Sequence, residues 1–287
     1  MAIGLAYLAG ISLPGDPAKP NEDAFCHAAT LAAVFDGATP LCEPTMPVDS
    51  DAAWIARKGA EGLIAHQELG AREALRRAAV EAELAFKSLR FRVPRENHEL
   101  PLASMMMVAA ENDHLEFYWF GDCAALVKAP GALVEIIGDA FEKRTAEARR
   151  VARLAEREGL DPTAGVTRPG YLDALKAGRN RVNTQPGTWA FSPDAHCAAF
   201  AASSRITALV GTRLLLCTDG FLALASDYGR YDAESFFAAC LSRGVRSMCD
   251  ELREIEMSDP HGRSFPRFKV SDDASALLLE VCTAVDL

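Results

Sequence analysis

The 287-residue sequence has no stretch long and apolar enough to span a bilayer, and no Cys-x-x-Cys pair among its eight cysteines. It has no internal repeat and no low-complexity tract. These absences exclude a membrane-spanning helix, a zinc ribbon and a solenoid array. Positive charge is also in short supply. Thirty Lys and Arg against forty Asp and Glu leave a formal charge of −10, which repels a phosphate backbone and excludes a general nucleic-acid binder. P-loop, Gly-x-Ser-x-Gly and His-Glu-x-x-His motifs are missing, so nucleotide-binding, α/β-hydrolase and metalloprotease chemistries have no foothold. Residues 1–13 are apolar but lack a basic n-region and are too short to cross a membrane, so they read as a buried strand and no membrane is expected as a partner. The scattered cysteines, several in runs such as Leu214-Leu215-Leu216-Cys217, read as small buried hydrophobes in a reducing cytoplasm.

What is present suits a large core, with 49% hydrophobic and 24% charged residues. Residues 2–13 and 24–36 read as β segments around the turn-forming run 14–21. Residues 51–90 turn to Ala, Leu, Glu and Arg at helical spacing, with Gly70 between two halves, which predicts a helix pair. An antiparallel meander is expected over 102–137, and a charged amphipathic helix over 142–158. Strands are expected at about 188–202 and 212–218, helices at about 232–242 and 245–257, and a last strand at 274–282. Strands in blocks and helices in pairs indicate α+β with helix layers on antiparallel sheets. One domain over 1–287 is expected, with a loop-rich insertion or flap at about 142–187.

Four motifs place acids at strand ends: Asn21-Glu22-Asp23-Ala24, Val34-Phe35-Asp36-Gly37, Cys217-Thr218-Asp219-Gly220 and Ser271-Asp272-Asp273-Ala274-Ser275. Any one alone is an ordinary turn former. If 24–35 is a hairpin, Asp23 and Asp36 are symmetric about Ala29-Thr30 and lie across from each other. Carboxylates gathered at one rim repel by about 1 kcal/mol per pair at 4 Å in water and about four times that near a protein surface. A positive charge is therefore required among them. Oxygen donors without His or Cys select hard cations, Mg²⁺ or Mn²⁺. Two such ions about 3.5–4 Å apart activate water and stabilise phosphoryl displacement, so phosphate-ester hydrolysis is the expected chemistry.

The ordered set formed by these motifs with Gly121-Asp122-Cys123 resembles the metal-dependent serine/threonine protein phosphatases of type 2C, over about residues 4–281. The resemblance implies a β-sandwich of two antiparallel sheets flanked by helix pairs, a dinuclear Mg²⁺/Mn²⁺ centre with an optional third ion, and a phosphorylated protein as substrate. Matched by position, Asp36 bridges both metals, the Gly37 carbonyl binds one, and Asp219 and Asp272 complete the first metal's shell, so these three aspartates act through the metal-activated water. Glu22 and Asp23 serve the second metal directly or through water, with strand alternation favouring Asp23. Asp122 matches the optional third site, or is simply a strand-end turn.

The sequence also departs from the family pattern. Where the family often carries a phosphate-gripping Arg, this chain has Ala18 and Lys19, and Lys19 is either a point-charge substitute or a solvated loop lysine. Ala38 stands where a general-acid His is usual in eukaryotic members, so no general acid can be named. A haloacid-dehalogenase-like reading of Asp36-Gly37-Ala38-Thr39 fails because the required nucleophilic Asp two residues earlier is Val34. The remaining alternatives are a regulatory module with little catalysis and a phosphatase of small phosphorylated metabolites.

Overall fold

Burial of strands on both faces sets the architecture. The computed structural model describes residues 2–141, 168–265, 267 and 269–284. One antiparallel sheet runs β1 (Ile3–Leu13), β10 (Ala274–Thr283), β9 (Arg213–Cys217), β6 (Ala124–Lys128), β7 (Glu135–Ile137). The second runs β2 (Asp23–His27), β3 (Leu31–Gly37), β4 (Ala103–Glu111), β5 (His114–Phe120), β8 (Ala202–Thr207). Successive residues of a strand point to opposite faces, and here both faces are apolar. Val34, Met106, Leu214, Leu216, Leu277 and Leu279 fill the space between the sheets. Their neighbours Phe35, Met105 and Met107 face outward, toward α1 (Asp51–Ala65) and α2 (Ala71–Leu89). On the other side Leu215, Cys217 and Leu278 meet α4 (Asp219–Ser226), α5 (Ala233–Arg243) and α6 (Val245–Ser258). The result is the expected α+β sandwich with a helix layer on each outer face. Each fully buried large side chain contributes about 1.5–3 kcal/mol relative to exposure.

Several expectations are corrected. The 102–137 stretch is not one meander, because β4 pairs with β5 in one sheet while β6 pairs with β7 and β9 in the other. The chain changes sheet at Gly121, whose φ of +70° suits glycine and whose Cβ would fall 2.0 Å from Ser104 Oγ. The strand expected at 188–202 is a loop, with an isolated bridge at Phe191 and a 3₁₀ helix, Ala195–Phe200, before β8. Pro193 cannot donate to a ladder, and Asp194 caps the 3₁₀ turn by accepting from His196 N at 3.0 Å. Helix α4 begins at Asp219, where the Asp-Gly pair reads in sequence as a turn. β1 is an edge strand rather than a buried one, with Tyr7 50% exposed and a register shift between Tyr7 and Ala9 that breaks the edge. The helix expected at 142–158 and most of the supposed flap lie outside the described residues; within them, α3 (Arg168–Arg179) is helical.

All eight cysteines fall in the described residues. Cys26, Cys123, Cys197, Cys217, Cys240 and Cys249 are buried free thiols. Burial pushes the Cys26 thiol up to about 12, so it behaves as a small hydrophobe. Among the described residues no helix is long and apolar enough to cross a membrane.

Gly37 is where layer packing meets chemistry. A Cβ there would lie 2.5 Å from the Glu22 carbonyl oxygen and 2.6 Å from that of Ala52, both backbone atoms that cannot swing away. The start of α1 can therefore approach the end of β3 only over a glycine. Gly37→Ala is expected to cost about 1–3 kcal/mol through forced backbone displacement, read as a lower urea midpoint. An unchanged midpoint would show that the approach tolerates a methyl group.

Candidate metal centre

The acids stand at one end of the sandwich because each ends or begins a strand there. Asp23 opens β2 and Asp36 nearly closes β3. The two are direct partners in the antiparallel ladder, with the register expected from their symmetry. Ser104, opposite Asp36 on β4, donates to Asp122 Oδ1 at 2.7 Å. This hydrogen bond ties the β5–β6 crossing to the hairpin. Asp219 follows β9 at the first position of α4 and is 9% exposed. Asp36, Asp122 and Asp219 each offer a carboxylate oxygen, all within 4.8 Å of one another.

The rest of the site is held by hydroxyls and amides. Thr218 Oγ1 accepts from Ser275 N at 2.9 Å and donates to Asp23 Oδ2 at 2.8 Å, joining β10, β2 and the start of α4 through one hydroxyl. The other oxygen of Asp23, Oδ1, is buried with no hydrogen-bond partner. Glu22 accepts from Thr39 Oγ1 at 2.5 Å and from Ser50 Oγ at 2.7 Å. Ser50 also caps α1 by accepting from Ala53 N at 3.2 Å. The two oxygens of Asp273 accept from Gly15 N at 2.7 Å and Glu22 N at 2.6 Å, pinning the loop before β2.

Electrostatics follow from this crowding. Burial, and then the charges of Asp219, Asp23, Asp122 and Asp272, hold the Asp36 carboxyl well above the usual carboxylate range. Asp23 is raised as well, by burial first and by Asp273 and Asp272, against hydrogen bonds from Thr218 and Ser275. Such a site is short of positive charge. Asp272, expected beside Asp36 and Asp219, is outside the three-oxygen set, and its Oδ1 accepts from Lys269 Nζ at 2.5 Å. Lys19 pairs with Asp16 at 3.6 Å on a side chain 76% exposed.

Whether divalent cations fit can be tested on these observations. The donors are all oxygen, three carboxylates converge within contact range of one small ion, and a fourth carries a buried oxygen with no proton donor. Hard cations fit this set.

No protein-family sequence model matches the chain, and no curated protein matches it by sequence. Solved structures do match. The catalytic domain of serine threonine protein phosphatase PstP in complex with two manganese ions is 15% identical, with a TM-score of 0.54 over 98% of this chain and 99% of that one. Mycobacterium tuberculosis PstP/Ppp is 16% identical, with a TM-score of 0.57 over 96% and 98%. MsPP, a PPM Ser-Thr phosphatase from Mycobacterium smegmatis in complex with cacodylate, is 16% identical, with a TM-score of 0.51 over 96% and 99%. The chain has the PPM phosphatase fold.

Within this PPM fold, Asp23 pairs with Asp36 across the hairpin and Asp36, Asp122 and Asp219 converge, while Asp272 lies outside that set. The supporting residues escaped sequence reasoning. Thr218 sits in a motif but carries no chemical signature of its own, and Ser104 lies in an apolar strand. Lys269 lies between the acid motif at 271–275 and the stretch before it, where no motif marks it. Burial disfavours its ammonium, yet Asp272 first, then Asp36 and Glu22, keep it more basic than an ordinary lysine.

Proposed function

We propose that the chain hydrolyses phosphoserine and phosphothreonine in proteins, using Mg²⁺ or Mn²⁺ bound at the acid rim. The observation that carries this reading is the convergence of Asp36, Asp122 and Asp219 within 4.8 Å, from three separate parts of the chain, at one end of a PPM sandwich. Asp36, Asp122 and Asp219 would hold one ion with Asp272 beside them. Asp36, Asp23, Glu22 and the Gly37 carbonyl would serve the other. Bound there, such ions supply an activated water and offset the charge that develops in phosphoryl transfer.

The chain's own residues keep the donors in place. Ser104 fixes the Asp122 oxygen, Thr218 fixes Asp23, and Thr39 with Ser50 fix both oxygens of Glu22, so each carboxylate is oriented before a cation arrives. Arg253 donates to the Asp272 carbonyl at 2.8 Å and holds the segment before β10. The buried thiols accord with a reducing compartment, and we place the protein in the cytoplasm, acting on a phosphorylated protein partner.

The test is phosphate release by the purified chain from a phosphothreonine peptide, from p-nitrophenyl phosphate and from small sugar phosphates, with Mn²⁺ and with excess chelator. Manganese-dependent release, suppressed at least about 10³-fold by chelation and faster on the peptide than on the sugar phosphates, is expected. Faster turnover of the sugar phosphates would redirect the reading to metabolites. Absence of any hydrolysis with manganese bound would overturn it.

A further inference from the structure

We propose that Lys269 binds the phosphate group of the substrate. The inference rests on the phosphatase reading above and adds a residue to that site. A phosphate dianion approaching a rim of carboxylates meets repulsion that a protein cation within the same rim would offset. The described cations near the rim are otherwise engaged. Lys19 points to solvent beside Asp16. Arg179 donates to the Thr39 carbonyl at 2.8 Å. Arg253 is shared between Glu256 at 2.7 Å, the Pro14 carbonyl and the Asp272 carbonyl. Lys269 differs from these. Its Nζ reaches one oxygen of Asp272 and its side chain is 36% exposed, while the charges of Asp272, Asp36 and Glu22 favour its ammonium form. It is therefore a cation inside the acid rim with a path to solvent, which leaves ammonium protons free for a second anion.

The loop that carries Lys269 is built to hold it there. Asp259, 9% exposed, accepts from the backbone amides of Arg263, Ser264 and Phe265 at 2.8, 3.1 and 3.0 Å. Arg267 donates to Asp259 Oδ2 at 3.2 Å and to the carbonyls of Phe265 and Val270 at 3.0 and 2.9 Å. Phe265 packs edge-on against Tyr228, ring centroids 4.9 Å apart. A surface loop with no task would not need a buried carboxylate and a multiply bonded guanidinium at its base. Here they tie Arg267 both to Asp259 and to the Val270 carbonyl, the residue after Lys269.

The experiment measures inorganic phosphate binding to the manganese-loaded full chain by calorimetry, for wild type, Lys269→Gln and Lys269→Arg, alongside manganese binding, thermal melts and p-nitrophenyl phosphate kinetics. Lys269→Gln is expected to weaken phosphate binding at least tenfold and to raise KM more than it lowers kcat. Manganese binding should stay within about threefold, and Lys269→Arg should recover part of the phosphate affinity. Unchanged phosphate affinity in Lys269→Gln, with tighter manganese binding, would overturn the proposal by making Lys269 only the counter-ion of Asp272. If Lys269→Gln fails to melt cooperatively, Lys269→Arg alone decides, and phosphate affinity falling with manganese affinity in that variant counts against the proposal. Phosphate binding does not require turnover. A wild type that binds phosphate through Lys269 but hydrolyses no ester would sink the phosphatase reading and leave this one standing.

Discussion

Asp36→Asn should abolish manganese-dependent phosphoester hydrolysis while making the metal-free protein harder to unfold. Both effects have the same origin. Asp36 is the acid on which Asp219, Asp23, Asp122 and Asp272 all press, and its ladder partner is Asp23. Pairs at such separations repel by about 1 to 4 kcal/mol each, depending on how much water screens them. Removing one charge from the centre of the group relieves several pairs at once, and an amide of the same shape leaves the packing untouched. A gain of about 1–3 kcal/mol in the metal-free state is expected, seen as a melting temperature higher by several degrees. The same substitution removes the donor placed between the two proposed ion sites. Activity should fall by at least about 10³-fold, the loss of several kcal/mol of transition-state stabilisation. A variant that stays active, or a metal-free variant less stable than wild type, would show that Asp36 is not the focus of the repulsion.

The second large effect is a stability that depends jointly on pH and metal. Asp23 and Asp36 both have folded-state pKa values raised above the ordinary carboxylate value, chiefly by burial. For groups raised in this way the unfolded chain gives up its protons first. Their contribution to stability is complete below the ordinary carboxylate pKa and is lost as pH rises through the raised folded values. The metal-free wild type should thus lose stability relative to Asp36→Asn as pH is raised from about 4 toward neutrality, with little difference at the acid end. Carboxylates lowered by partners, such as Glu99 beside Arg92, act in the opposite sense but cancel in this comparison. Manganese at one hundred times its dissociation constant should restore about 2.7 kcal/mol to the wild type near neutral pH. It should restore less at acid pH, where protons compete for the same oxygens. Chemical denaturation at three pH values, with and without manganese, measures this directly. A wild-type deficit that shrinks as pH rises would reverse the sign and defeat the argument.

How much of this was legible in the sequence depended on whether the information was local. The Asp23–Asp36 pairing could be read because fourteen residues of hairpin fix it and one centre of symmetry suffices. The helix pair α1 and α2 could be read because Ala, Leu and Phe recur at helical spacing on either side of Gly70. Strand partners were harder. With both faces buried, runs such as Met105-Met106-Met107 or Leu214-Leu215-Leu216 show no alternation, so nothing in them says which residue faces which layer or whether β5 and β6 share a sheet. The 188–202 segment misleads because Trp189 and Phe191 look like strand residues while Pro193-Asp194 quietly begins a 3₁₀ turn. In the site, the acids were visible as strand-end motifs, but proximity in space was not. Asp122, in sequence either an optional third-site acid or a strand-end turn, lies in one converging set with Asp36 and Asp219, whereas Asp272 turns to a lysine on the loop that Asp259 and Arg267 brace.

The carboxylates are divided between the two ends of the polymer. Asp23, Asp36 and Asp122 come from the first half, Asp219 and Asp272 from the second, and the central strands β9 and β10 bring the latter pair home between partners made far earlier. Ion affinity in such an arrangement reports long-range closure: a chain that has formed its hairpin and helices but not yet zipped β9 against β6 owns only part of the cage. On the proposed reading, cation capture would be reserved for the finished molecule, and hydrolysis withheld from every partly folded form of it.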